Sequence, residues 1–182
     1  MKVTKTPLEN CFIIEPTVFG DERGYFFESF NKNKFKEIAG IDINFIQDNE
    51  AFSNKGTLRG LHFQKGQFAQ AKLVRVVKGK VLDVAVDLRK DSDTYGNHFS
   101  IILSEENKKQ LFIPRGFAHG YAVLEDNTIF QYKCDNFYSP ENESGIKYDD
   151  RDLNIDWKIL SKEIILSEKD TKLKPFKEFV IK

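Results

Sequence analysis

The chain of 182 residues has no excess of either charge: 28 Lys and Arg stand against 28 Asp and Glu. No bulk field therefore draws it to nucleic acid or to an anionic membrane, and any anion it holds must meet a local cluster of cations. No stretch approaches the ~20 apolar residues of a membrane span. The N-terminus, MKVTKTPLENCF, lacks the apolar run of a secretory leader. There are two cysteines, Cys11 and Cys134, far apart and without a CxxC pattern. They read as reduced thiols, and with the missing leader they suggest a soluble, cytoplasmic protein. Only three histidines occur, His62, His98 and His119, and position 64 is Gln, so there is no His-x-His. A metal centre of paired histidines plus a carboxylate is not supported. The glycine patterns that cradle phosphates, GxGxxG and the P-loop, are also missing.

Phenylalanine is what the chain has in quantity, 17 residues, which suits strands and thick apolar layers. Short extended runs follow one another at close spacing: residues 11–15, 17–19, 25–30, 44–53 with a polar centre at Gln47, Asp48 and Asn49, 58–64, 73–77, 81–88, 96–103, 110–114, 117–125 and 128–135. Turn residues separate them. The Lys-Gly-Lys turn at 78–80 predicts that residues 72–88 form a hairpin. In its second arm Leu82, Val84, Val86 and Leu88 share one face, and Asp83, Ala85 and Asp87 share the other. One helix is predicted in the first half, capped by Asn31, stopped at Gly40, with Phe35 and Ile38 on its apolar side. Past residue 139 the chain turns polar before Trp157 and Ile159 resume an apolar pattern. The reading is all-β, a sandwich or small barrel with a few short helices, in one domain over 1–182.

The stretch richest in chemistry is residues 58–64, LRGLHFQ. Strict strand alternation puts Arg59 and His62 on opposite faces. Gly60 between them permits a bulge or a close backbone approach that brings both to one site. Otherwise they are a surface cation and a packed imidazole. His119, in PRGFAHG at 114–120, is either a hydrogen-bonded structural histidine or part of the same site. Arg23, Arg59, Lys72 and Arg75 lie by apolar strands and together make the kind of cluster an anionic ligand needs. Tyr132 sits mid-strand as a packed ring or a proton donor. Tyr138 stands at a loop entry as an anchor or a stacking surface. Asp170, near the chain's end, is a cap or a functional carboxylate.

Several of these stretches together resemble the dTDP-4-dehydrorhamnose 3,5-epimerase family: RGYFFE at 23–28, QDN at 47–49, LRGLHFQ at 58–64, AKLVRVVKGKVLDVAVDLR at 71–89, FIPRGFAHGYAV at 112–123, QYKCDNFYSPENESGI at 131–146 and SEKD at 167–170. The resemblance covers nearly the whole chain. It implies a cupin-type jelly roll. It also implies a homodimer in which N-terminal strands join the partner's sheet, and inversion of C3 and C5 of a dTDP-4-keto-6-deoxyhexose without metal or redox cofactor. By resemblance, His62 is the base, Asp170 the carboxylate that orients it, Tyr132 the acid, and Lys72 the cation beside an enolate. Arg23, Glu28, Gln47, Asn49, Arg59, His119, Glu143 and Lys169 are implied nucleotide-sugar contacts, and Tyr138 the platform under thymine. The chain departs from the family's usual pattern at Glu50 and at Tyr121, where Phe is usual.

Overall fold

Residues 1–180 are described by the computed structural model. The last two positions of the domain expected over 1–182 lie outside the described residues. Short alternating runs fold as two facing antiparallel sheets. Strands β1 (Lys2–Lys5), β2 (Phe12–Glu15), β5 (Gln47–Ser53), β7 (Lys72–Lys78), β10 (Gln110–Ile113) and β12 (Thr128–Cys134) form the first, in the order β1-β2-β10-β7-β12-β5. The second contains β6 (Leu58–Gln64), β8 (Lys80–Asp87), β9 (His98–Ser104), β11 (Phe117–Val123) and β13 (Glu143–Gly145), in the order β13-β6-β11-β8-β9. A separate ribbon pairs β3 (Val18–Asp21) with β4 (Gly24–Phe27). The result is the all-β sandwich predicted from the sequence.

Three apolar layers hold it. Between the sheets, Val74, Val76, Leu111 and Phe130 meet Val81, Ala85, Leu103 and Val123. On the outer face of the five-stranded sheet, Leu58, Leu61, Leu82, Val84 and Val86 lie under Ile146, Leu153, Trp157 and Phe176 of the C-terminal segment. On the outer face of the six-stranded sheet, helix α1 (Lys32–Ala39) sets Phe35 against Phe12, Leu73 and Phe112. Each fully buried side chain of this size contributes about 1.5–3 kcal/mol. Helix α1 has the predicted ends: Asn31 Oδ1 accepts from the Lys34 backbone N–H at 3.1 Å, and Gly40 closes the helix at φ 70°. Ile38 does not share Phe35's role and is exposed, since one turn of buried face is enough for an eight-residue helix on a sheet.

The hairpin expected over 72–88 does not form. β7 pairs with β10 and β12, while β8 pairs with β11 and β9 in the opposite sheet. The reason lies in β8, which is covered on both faces. Leu82, Val84 and Val86 pack outward under the C-terminal segment, and Val81 and Ala85 pack inward. A strand apolar on both sides gains most as an interior strand between two layers. Gly79, at φ 79°, carries the chain from one sheet to the other.

The inward face of β8 also carries Asp83 and Asp87, both fully buried. Asp87 accepts hydrogen bonds from Arg89, Ser92 and Thr94 and so pins the loop after β8. Burial works to raise its pKa, but these bonds outweigh it and hold the carboxyl at about 2, below 3.8. A carboxyl depressed in the folded state adds stability above its unfolded value, and that stability is lost as pH falls through the folded value. Asp87→Asn is therefore expected to destabilise the protein at neutral pH by about 3–5 kcal/mol, as for a broken buried pair. The gap to wild type should narrow as pH falls from about 4 toward 2. Urea unfolding at stepped pH measures this, and a gap that does not narrow contradicts it.

Candidate active site

β6 and β11 run side by side, with His62 opposite His119 and Arg59 opposite Tyr121. Three steps on β6 thus match two on β11, which is a bulge. Gly60 makes it possible. Its φ is 106°, and a Cβ there would sit 2.6 Å from the His119 carbonyl oxygen and 2.8 Å from Gly120 Cα. The bulge overrides alternation, so Arg59 and His62 open onto one cavity of about 280 Å3 between the sheets.

Lys72, His119, Tyr132, Lys169 and Asp170 also line that cavity. A smaller one of about 100 Å3 shares His62, Lys72 and Tyr132 with it and adds Gln47, Cys134, Tyr138 and Glu143. Asn49 stands behind Gln47, accepting from its amide at 3.0 Å. Arg23 and Glu28 are not brought to either cavity. Arg23 lies at the tip of the β3–β4 ribbon, ion-paired with Asp21 and 89% exposed, and Glu28 pairs with Lys34 near the start of α1.

His62 Nε2 and Asp170 Oδ1 are 2.5 Å apart. Asp170 comes from the end of the C-terminal segment, which is moored at several points. Ile165 bridges Thr57 and Lys174 bridges Ile146. Asp150 accepts from the Phe176 N–H at 2.8 Å. Burial disfavours charge on Asp170. Hydrogen bonds from the His62 ring, the Ser167 hydroxyl and the Gly60 N–H outweigh it and hold the carboxyl below its ordinary value. An ionised Asp170 fixes a proton on His62 Nε2 and leaves Nδ1 as a base.

Tyr132 belongs to β12, on the sheet facing His62, so acid and base candidates stand on opposite walls. Burial raises its pKa, which keeps the hydroxyl protonated. The Lys72 ammonium lies 5.8 Å from the Tyr132 ring centroid. No carboxylate pairs with it among the described residues, and burial lowers its pKa. Burial likewise pushes Cys134 up to about 11, so it stays a thiol. At the mouth, Glu143 accepts from Tyr138 Oη at 2.5 Å and is ion-paired with Lys169. Burial raises the Glu143 pKa, but these partners outweigh it and leave it lowered. The bond to Glu143 drives Tyr138 up to about 12. Among the described residues no group of three or more His, Cys, Asp or Glu is arranged to hold a metal ion.

Three lining or supporting residues escape the sequence reading. Ser53 accepts from Arg59 Nη2 at 3.2 Å, and Ser167 supports Asp170. Asp83 lies behind His119, with Oδ2 2.9 Å from Nε2. Ser53 carries no signal in the sequence, and Ser167 enters only as the first residue of the SEKD stretch. Asp83 carries a signal: a carboxylate inside an apolar strand must have a partner.

The profile of the dTDP-4-dehydrorhamnose 3,5-epimerase family matches residues 5–178. The enzyme of that name from Methanothermobacter thermautotrophicus is 53% identical over 96% of this chain and 94% of its own. The crystal structure of dTDP-4-dehydrorhamnose 3,5-epimerase from Elizabethkingia anophelis superposes with a TM-score of 0.94 at 56% identity, covering 98% of this chain and 97% of that one. A 3,5-epimerase from Legionella pneumophila, solved with dTDP-4-keto-L-rhamnose, superposes at 0.92 and 48% identity, covering 96% and 92%. The sandwich is thus the cupin-type jelly roll.

The bulge generates a test. Gly60 and Gly24 both have positive φ, but a Cβ at Gly24 meets nothing within 4 Å. Gly60→Ala is expected to cost about 1–3 kcal/mol in folding and to shift the His62 ring resonances in NMR. Gly24→Ala should leave those resonances in place. An unmoved His62 signal in folded Gly60→Ala protein contradicts the account.

Proposed function

The chain belongs to the dTDP-4-dehydrorhamnose 3,5-epimerase family, and on that premise we propose how its own residues carry out the reaction. It is an isomerase that inverts C3 and C5 of dTDP-4-dehydro-6-deoxy-D-glucose to give dTDP-4-dehydro-L-rhamnose. The observation that carries the assignment of roles is the His62–Asp170 pair at 2.5 Å, facing Tyr132 across the cavity with Lys72 beside them. C3 and C5 both flank the C4 ketone. His62 Nδ1 removes the proton from one of them, and the C–H electrons move into the carbonyl to form an enolate. The Lys72 ammonium stabilises the oxygen where charge develops. Tyr132, on the other wall, returns a proton to the opposite face of the sugar, which inverts the centre. Solvent then takes the proton from His62 and returns one to the Tyr132 oxygen, and the same groups act on the second carbon. No residue in this scheme requires a cofactor.

Arg59 and Lys169 meet the diphosphate, with the bidentate geometry of Arg59 suited to it. Gln47, Asn49 and Glu143 contact the nucleotide end, and Tyr138 stacks on thymine. The working unit is one domain, since β2 near the start pairs with β10 and residues 146–176 cover the second sheet. Two buried, unbridged thiols fit a reducing compartment, and the cytoplasm is the proposed location.

The proposed assembly is a homodimer. β1 and β2 lie in the chain's own sheet, while the β3–β4 ribbon exposes Val18, Phe19, Tyr25 and Phe26, the last by 70%. An apolar patch of this kind is suited to a second copy, and the ribbon would then carry Arg23 and Glu28 to the partner's cavity. Light scattering is expected to give twice the chain mass. Phe19→Asp/Phe26→Asp should yield a monomer with weakened dTDP binding. A wild-type monomer that binds dTDP fully contradicts this assembly.

The roles are tested by incubating the protein with dTDP-4-dehydro-6-deoxy-D-glucose in deuterated water. Wild type should take up deuterium at C3 and C5. His62→Asn should lose both by ~10²–10⁴-fold, the usual cost of removing a general base. Tyr132→Phe should keep abstraction and fail to invert C5. Full exchange at either carbon in His62→Asn overturns the assignment.

A further inference from the structure

The cavity holds two histidine–carboxylate pairs, and they are not alike. His62 and His119 face each other across β6 and β11, each with one ring Nε2 on an aspartate. Asp170 receives two further donors, the Ser167 hydroxyl and the Gly60 N–H. Its charge is therefore shared among three partners. Asp83 has no side-chain exposure, and His119 is its single hydrogen-bond partner among the described residues. Its second oxygen, Oδ1, is buried with no partner among the described residues. A buried carboxylate met by one imidazole depends on that imidazole alone for its pairing. An orphan buried oxygen of this kind calls for a functional explanation rather than a packing one.

Resting on the epimerase reading above, we propose that Asp83 is a positioning residue: through the 2.9 Å contact it keeps His119 protonated on both ring nitrogens, so that Nδ1–H donates to the keto sugar. Depth in the cavity selects the sugar over the phosphates. His119 is 7% exposed, with Asp83 behind it, whereas Lys169 is 53% exposed at the mouth. The two pairs then divide the labour by their surroundings alone. The aspartate with three donors leaves a base, and the one met by a single imidazole makes a charged donor. His119 also stacks against Phe130, which fixes its ring plane.

Asp83→Asn tests this, because the amide keeps the shape and removes the charge. Its kcat/KM for the keto sugar should fall about 10–100-fold, in the range seen when one preorganised donor is lost. Affinity for dTDP alone should not change. His119→Asn should fall by a similar factor, and the double variant should fall no further, since Asp83 acts through His119. In 15N NMR of the wild type at neutral pH, both His119 ring nitrogens should carry protons, and Asp83→Asn should remove one. Additive losses in the double variant, an unchanged kcat/KM in Asp83→Asn, or a singly protonated His119 in wild type would each overturn the proposal. Should Asp83→Asn fail to fold, the wild-type spectrum and the His119→Asn kinetics still decide it. A wild type that exchanges neither C3 nor C5 with deuterium would instead overturn the functional reading, so the two failures are distinguishable.

Discussion

The hydrogen bond between His62 and Asp170 depends on more of the chain than any other contact in the site. It joins residues 108 positions apart. One end requires the bulge at Gly60, which turns His62 to the same cavity as Arg59. The other requires residues 146–176 to travel over the outer face of the five-stranded sheet and return to its edge. That path is fixed by apolar burial under Trp157 and Phe176 and by the Asp150 carboxylate on the Phe176 amide. Side-chain geometry at an active site must hold within a fraction of an ångström. Here His62 is anchored by strand β6, and Asp170 by a segment pinned to the sheet at several points.

The second constraint is electrostatic. A chain with no net charge gathers Arg59, Lys72, His119 and Lys169 around one cavity. Many other cations are paired with carboxylates away from it, as Lys34 with Glu28 and Lys133 with Asp48. Lys72 is left without a carboxylate among the described residues and partly desolvated. An unpaired ammonium in such a place is costly unless negative charge arrives with the substrate or develops during reaction. The two aspartates behind the histidines show the same principle: the number of donors around each carboxylate sets what its imidazole can do.

Much of this was legible in the sequence. Strands β2, β6 and β9 to β12 begin and end within a few residues of where apolar runs and turn residues put them, and α1 has both predicted caps. Gly60 was readable as the one place where alternation could break. Pairing was not legible, because the ladder partners of β7 and β8 are set by what covers each face, and the C-terminal cover of β8 lies some 70 residues away in sequence. The grouping of His62, Lys72, Tyr132 and Asp170 in one cavity came from resemblance to a family. Spacing alone leaves both readings open, His62 as a packed imidazole or a site residue and Asp170 as a cap or a functional carboxylate. Asp83 was visible as a charge within an apolar strand, but its partner His119 is brought to it only by the sheet.

The central claim is that one base, oriented by Asp170, serves both carbons. The rates of deuterium uptake at C3 and at C5 in Asp170→Asn, each divided by the wild-type rate, test it most directly. A single base predicts that both rates fall by the same factor, ~10²–10⁴-fold, with their ratio unchanged. A large loss at one carbon with the other left at its wild-type rate would contradict it and require a second base.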